Sequence, residues 1–385
     1  MKNFTFYNPT RIYFGEGQIA NLTTAIDSSK KVLILYGGGS IKKNGVYDQV
    51  VNTLSNHKTV EFSGIEPNPE FETCLKVIET IKANKVDFIL AVGGGSVIDA
   101  TKFIAAGVYY EGNPWDILAK GAEVTKAMPF GCVLTLPATG SEMNSGSVIS
   151  RRQSGDKLVF ASELVYPAFS ILDPTVTYSL PLKQTINGVV DAFTHVMEQY
   201  LTYPADAPLQ DRIAEGILLT LVEEGPKVIA NPTDYNARAN VMWCATMALN
   251  NLIRQGVPQD WTTHMLGHEI TAVYGLDHAE TLAIILPNVM TYKKDKKHQK
   301  LVQYAQRIWQ ITSGSDEDKV NQAIEKTKLF FQSLGAKVRL SSFEHFEESK
   351  LSIALESLKK HNMVALGEHQ DITLEDSHKI YQMCI

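Results

Sequence analysis

Asp191–Tyr200 reads DAFTHVMEQY, and the chain from His264 reads HMLGHEITAVYGLDHAETLA. Four of the ten histidines fall in these two stretches: His195, His264, His268 and His278. Asp191 and His195 stand at i and i+4, as do His264 and His268. On a helix that spacing puts both side chains on one face. One carboxylate with several imidazoles and no thiolate is a donor set for Fe(II) or Zn(II). On one unbroken helix His278 would lie about 21 Å from His264, too far for two ligands of one ion. Gly275 supplies a helix stop between them, after which LDH can turn the chain back. Taken singly, each histidine reads as a satisfied core residue and Asp191–His195 as a plain helix pair. The conjunction of all five in one half of the chain points to a metal.

A second chemistry sits in the other half. YGGGSIKKNG and AVGGGSVIDATK each place glycines between an apolar strand and a helix. Glycine lets the backbone approach an anion closely, and the following helix offers free N–H groups and a positive dipole end. Neither stretch is G-x-G-x-x-G, so the ordinary dinucleotide fingerprint is absent. Two such turns in one domain still argue for a dinucleotide, although tight strand–helix turns also need glycine for shape alone. The first turn carries Gly38, Gly39 and Ser40, then Lys42 and Lys43. Neutral and flanked by positive charge, it suits the 2′-phosphate of NADP(H) over NAD(H). Glu61 is the rival: a ribose-binding acid of an NAD site, or an exposed strand residue. Asp99 has the chemistry to accept hydrogen bonds from ribose hydroxyls, or is a first-turn helix acid.

The elements that must hold these residues fall into two halves. KVLILY, KTVEFS, DFILAV, PFGCVLTLPAT and FSILDP read as strands. SIKKNGVYDQVVNTL and EFETCLKVIETIKAN read as the helices between them. This alternation predicts a Rossmann-like α/β domain with a parallel sheet over residues 1–177. From 178 to 385 helical periodicities dominate, at 184–202, 207–229, 236–254, 260–274, 298–312, 318–334 and 348–361. LAIILP is the one strand-like run there. This half reads as an all-α metal-binding and catalytic domain.

The whole composition narrows the function. With 385 residues, 44% hydrophobic, 20% charged and a net charge of -6, the chain is globular and mildly acidic. KKDKKHQK at 293–300 reads as a solvated face, so no nucleic-acid partner is expected. The four cysteines are scattered without C-x-x-C, which suits a reducing cytoplasm. No apolar run reaches membrane-spanning length, and the first residues lack a signal-type apolar core.

On the residues GGGSVIDATK, LPATGSEMN, LDP, NGVVDAFTHVMEQY and HMLGHEITAVYGLDHAETLAIILP, the chain resembles the iron-containing (group III) alcohol dehydrogenases. It is most similar to their butanol dehydrogenase and NADPH-dependent aldehyde reductase branch. These motifs span both halves. The resemblance implies Asp191, His195, His264 and His278 as ligands of one divalent metal, with His268 beside metal and nicotinamide. It puts Gly38 and Ser40 near the adenosine ribose. Gly94, Gly95, Ser96 and Asp99 would hold pyrophosphate and nicotinamide ribose, Thr135, Thr139 and Ser141 would border the nicotinamide, and Lys157 would reach a 2′-phosphate. Ala279 stands where the wider family commonly has glycine, a departure at home in the aldehyde-reductase branch.

The expected reaction is hydride transfer between nicotinamide and a short- or medium-chain aldehyde or primary alcohol. His268 or water would deliver the proton, by relay along the ribose hydroxyl that Asp99 holds. A lyase or cyclase of the dehydroquinate-synthase kind is the alternative on the same scaffold. It needs several Lys and Arg around an anionic substrate, and few flank the candidate ligands. A non-catalytic sensor would not need two coupled sites. Finally, NFTFYNPTRIYFGEG reads as a strand, a glycine turn and a second strand. Pairing of this element with a second copy would give a homodimer; the bland reading ties it into its own sheet.

Overall fold

A computed structural model describes residues 1–385 as two compact units. The first comprises Tyr7–Pro181 and Thr233–Thr246; the second comprises Met1–Phe6, Leu182–Pro232 and Met247–Ile385.

The first unit is built on a six-stranded sheet. Its strands are β1 (Arg11–Phe14), β2 (Lys31–Tyr36), β3 (Lys58–Ser63), β4 (Phe88–Gly94), β5 (Phe130–Leu136) and β8 (Phe169–Leu172). They lie in the order β1-β8-β5-β4-β2-β3, and every pairing is parallel. The inner strands β2, β4, β5 and β8 are buried on both faces, which is why they read as nearly unbroken apolar runs, whereas the edge strands β1 and β3 are partly exposed. Leu33 and Leu35 face a cluster with Phe71, Cys74 and Ile78 of helix Phe71–Asn84. Val32 and Ile34 face another with Val46 and Val50 of helix Val46–Thr53. The helix expected from Ser40 is split, because Gly45 takes φ 79° and restarts the chain. Strands β6 (Gly146–Arg151) and β7 (Asp156–Ala161) add an antiparallel hairpin that the sequence reading missed.

The expected N-terminal hairpin does not form. Gly17, at φ 73°, leads into a 3-10 turn at Gln18–Asn21, and its N–H donates to Asp173 Oδ2 at 2.7 Å. Residues 11–14 instead pair in parallel with β8, as the sheet's outermost strand. Helix Tyr235–Ala248 also serves this unit. Met242 joins its core, Trp243 packs edge-on against Phe14, and Thr246 donates to the buried Glu142 at 2.6 Å.

The second unit is helical. Helix Leu182–Tyr200 is buried throughout its last ten residues. Phe193 meets Phe330 and Phe331 of helix Asp316–Leu334, both at 5.4 Å between ring centres. LAIILP is not a strand but part of helix His278–Tyr292. Leu282 through Leu286 are all buried there, and an apolar run buried all round looks the same in either geometry. The basic run at 293–300 is only in part a solvated face, with Asp295, Lys296, His298 and Gln299 exposed. Lys293, Lys297 and Lys300 are buried and paired with Asp371, with Asp260 and Glu368, and with Asp211. No helix is long and apolar enough to cross a membrane.

Candidate metal and dinucleotide sites

Asp191 lies in the middle of helix Leu182–Tyr200, with His195 one turn on. His264 stands in the first turn of helix Thr262–Tyr274, which Gly275 ends at φ 68°. The chain then turns back, and His278 opens the next helix behind a capping box of Asp277 and Glu280. Three imidazole nitrogens thereby surround one carboxylate oxygen. His195 Nε2, His264 Nε2 and His278 Nε2 lie 3.6, 3.7 and 3.8 Å from Asp191 Oδ1. A tetrahedral site with bonds of about 2.1 Å has ligand atoms about 3.4 Å apart. The three distances to Asp191 Oδ1 come close to that spacing and are too wide for direct hydrogen bonds, and the ligand atoms of Asp191, His195 and His264 all lie within 4.8 Å of one another.

The buried polar atoms make the same point. Asp191 Oδ1 and His264 Nε2 have no hydrogen-bond partner. Groups left so would cost free energy unless something between them completes the set. Oxygen and nitrogen donors at this spacing fit a single Fe(II) or Zn(II). Burial opposes ionisation of Asp191, but His195, His264 and His278 outweigh it and hold its carboxyl well below the usual range. Burial pushes His195 down to about 4, which keeps its imidazole neutral and able to ligate. For His264 burial acts in the same direction, yet Glu198 and Asp191 raise it to about 9. His268 reaches the cluster through its ring, 6.3 Å from that of His264 and 5.0 Å from that of His278.

The first unit places the dinucleotide candidates at the carboxyl ends of its strands. Gly38 and Ser40 follow β2. A Cβ on Gly38 would meet open space, whereas Gly39 takes φ 90°. At β4 the chain passes straight into helix Gly95–Gly107. A Cβ on Gly94 would sit 3.1 Å from Leu136 Cβ, and one on Gly95 would sit 2.3 Å from Thr139 Oγ1. Packing alone therefore requires glycine at 95, while Ser96 in the same turn stays partly exposed. Asp99 accepts from Ser141 Oγ at 2.5 Å and from the Val148 N–H at 2.9 Å. Thr139 Oγ1 accepts from the Ser141 N–H at 3.3 Å, and Thr135 is buried near the end of β5. Asp99, Thr139 and Ser141 thus form one connected group. Lys157, on β7, instead donates to Asn68 Oδ1 at 2.9 Å.

Glu61 is the exposed strand residue of the second reading, but it is not free. It accepts from the Tyr36 and Tyr47 hydroxyls and pairs with Lys42 at 3.6 Å. Lys42 also lies over the Tyr47 ring, so part of the positive charge near the first turn is already committed.

Three residues in these sites escaped the sequence reading. Lys102 is fully buried and donates to Asn144 Oδ1 and the Gly146 carbonyl, both at 2.7 Å. Burial pushes its ammonium down to about 8, against the pull of Asp99. Its three-residue spacing from Asp99 was the available signal. Asn68 could have been suspected from EPNP, a turn after β3. Glu198 lies in DAFTHVMEQY, one turn beyond His195, and is buried against His264.

Residues 9–174 match the family described as iron-containing alcohol dehydrogenase, and residues 185–385 match its C-terminal family. The chain is 55% identical to the NADPH-dependent aldehyde reductase YqhD of Escherichia coli, over 99% of each chain. It is 41% identical to a probable NADH-dependent butanol dehydrogenase of Bacillus subtilis, over 98% of each. Among solved structures it is similar to the substrate- and cofactor-free YqhD of E. coli (TM-score 0.94, 53% identity, all of each chain). It is also similar to the NADH-dependent butanol dehydrogenase A of Thermotoga maritima (TM-score 0.94, 37% identity, 100% of this chain and 99% of that one).

Proposed function

We propose, for a chain that belongs to the iron-containing alcohol dehydrogenase family, the particular chemistry that its residues support. The chain is a metal-dependent, NAD(P)H-linked alcohol dehydrogenase or aldehyde reductase. Our reading is that it reduces short- and medium-chain aldehydes, prefers NADPH, and holds one Fe(II) or Zn(II) on Asp191, His195, His264 and His278. The observation that carries the metal assignment is the ring of three imidazole nitrogens 3.6–3.8 Å from Asp191 Oδ1. The lyase alternative is not favoured, since the relatives are named as aldehyde reductases and butanol dehydrogenases.

When bound, the metal supplies Lewis acidity at a carbonyl oxygen and the nicotinamide supplies the hydride. The protein's own groups do the rest. Asp191 contributes the one negative charge of the ligand set. His268, one turn beyond His264 and with its ring 5.0 Å from that of His278, would pass a proton to the product oxygen. Asp99, anchored by Ser141 and Val148, keeps acceptor capacity for ribose hydroxyls. Gly38, Ser40, Gly94, Gly95, Ser96, Thr135, Thr139 and Lys157 complete the proposed cofactor contacts.

A direct test mixes the purified protein with NADPH and butanal and follows the absorbance of the reduced cofactor. Consumption that a chelator abolishes and Zn(II) or Fe(II) restores is expected. Consumption unaffected by complete metal removal would overturn the metal assignment.

We further read the protein as a cytoplasmic homodimer. All four cysteines are buried and unbridged, which suits a reducing compartment. β1 is an outer strand with one unpaired edge, and Phe4, Phe6 and Phe14 are exposed. Light scattering is expected to give twice the chain mass of 42.7 kDa for the intact protein. A chain lacking residues 1–8 is expected to run as a monomer; an intact monomer at micromolar concentration defeats the dimer.

A further inference from the structure

The starting point is an acid that the metal reading leaves without a task, and the inference rests on that reading. Glu198 is buried one turn beyond His195 on the same helix. Three groups converge on its carboxylate, all from the start of helix Thr262–Tyr274. Oε1 accepts the backbone N–H of Thr263 at 2.6 Å and of His264 at 3.3 Å. Oε2 meets Nδ1 of the His264 ring.

The backbone leading into that helix is bent to allow this. Trp261 takes φ 64°, a left-handed conformation unusual for a bulky side chain. Just before it, the Asp260 N–H donates to the Glu198 carbonyl at 3.0 Å. The Asp260 side chain is held in turn by the buried Lys297 Nζ at 2.6 Å. The first turn of the His264 helix is therefore fixed to the helix of Asp191 and His195 through both side chain and main chain.

The consequence for His264 is chemical. Glu198 takes two backbone donors and acts as an acceptor, so the ring nitrogen facing it must be the donor. A neutral imidazole with its proton on Nδ1 has its lone pair on Nε2. That is the nitrogen 3.7 Å from Asp191 Oδ1, buried and without a hydrogen-bond partner. We propose that Glu198 is the positioning residue of the metal centre, fixing the ring orientation and tautomer of His264 so that Nε2 faces the ion. Carboxylates set behind ligating histidines commonly act so, and their loss lowers metal affinity.

Glu198→Gln tests this with little change of shape. The amide carbonyl can still accept from Thr263 and His264, but the amide NH2 must donate to Nδ1. That moves the ring proton to Nε2, where it competes with the metal. In metal-stripped protein titrated against a chromophoric chelator, the zinc dissociation constant is expected to rise about 10- to 100-fold. The rise in Tm on adding zinc should shrink accordingly, while the metal-free Tm changes little. A merely structural role would lower the metal-free Tm and leave the zinc-induced shift intact. Unchanged zinc affinity in Glu198→Gln overturns the proposal.

A second measurement needs no variant. Nitrogen-15 spectra of histidine-labelled, zinc-loaded wild-type protein should show His264 protonated at Nδ1 and metal-bound at Nε2. The reverse arrangement overturns the proposal even where the variant fails to fold. Wild-type protein that takes up no zinc would instead defeat the underlying metal reading, a result distinguishable from a variant that binds as well as wild type.

Discussion

His264→Ala is expected to reduce bound metal from one ion per chain to less than about a tenth of that. Its kcat/KM for aldehyde should fall by on the order of a thousandfold, since Lewis-acid stabilisation is worth several kcal/mol and each 1.36 kcal/mol is tenfold. The geometry explains the size of the loss. His264 Nε2 is one of three nitrogens around Asp191 Oδ1, and three remaining donors hold an ion far less well than four. Removal also takes from Glu198 its ring partner, but the Thr263 and residue-264 N–H groups still reach that carboxylate. The helix start should therefore persist. Metal content by elemental analysis and far-ultraviolet circular dichroism on the same sample check both halves of the expectation. Wild-type metal content in the variant would remove His264 from the ligand set.

The second large effect concerns the cofactor. Gly38→Asp should lower kcat/KM for NADPH by about 10- to 100-fold and leave NADH within about threefold. A carboxylate would then face a phosphate of about -1.5 to -2 charge across a few ångströms of partly screened space. Gly38 is the position to use. Its Cβ meets nothing within 4 Å, whereas Gly39 at φ 90° would be strained by any side chain. The neighbouring lysines contribute unequally to the preference. Lys42 is already paired with Glu61 and set over Tyr47, and Lys157 donates to Asn68 Oδ1, so both would share their charge with the phosphate, while Lys43 follows in the same turn. Initial rates with both cofactors decide it. A variant that loses both equally, or a wild type that favours NADH, would show that the β2 turn does not read the 2′-phosphate.

These sites were legible where residue type and spacing alone carry chemistry. One-turn spacings and a glycine stop singled out Asp191, His195, His264, His268 and His278 together, and only the family resemblance set His268 apart from the other four. The structure brings Nε2 of His195, His264 and His278 to 3.6–3.8 Å from Asp191 Oδ1. The central strands were legible because burial on both faces leaves no polar residue to break the run. Long-range pairing was not legible. Arg11–Phe14 looks like half of a hairpin, and only the distant partner Phe169–Leu172 makes it a parallel edge strand. Short elements of mixed burial were also lost, such as Gly146–Arg151 and Asp156–Ala161. Helix Leu374–Met383 did carry a signal, the capping box of Thr373 and Asp376, that went unread. Glu198 and Lys102 were hidden for another reason. Acid and amine side chains are ordinarily surface residues, and sequence does not announce the buried partners that hold them inside.

The interleaving of the two units bears on how the molecule is made. The sheet unit includes Thr233–Thr246, so some fifty residues of the helical unit are translated before the sheet unit has all of its chain. Until then Phe14 has no Trp243 to pack against, and Glu142 has no Thr246 hydroxyl in its buried setting. A nascent chain released near residue 181 would expose that unfinished surface, and a gene fragment cut there would encode an incomplete sheet unit. The reverse dependence also holds: Met1–Phe6 belongs to the unit that otherwise begins at Leu182, so this segment is made well before the rest of its unit. Each unit thus draws on chain from both sides of residue 181, and neither is one continuous stretch.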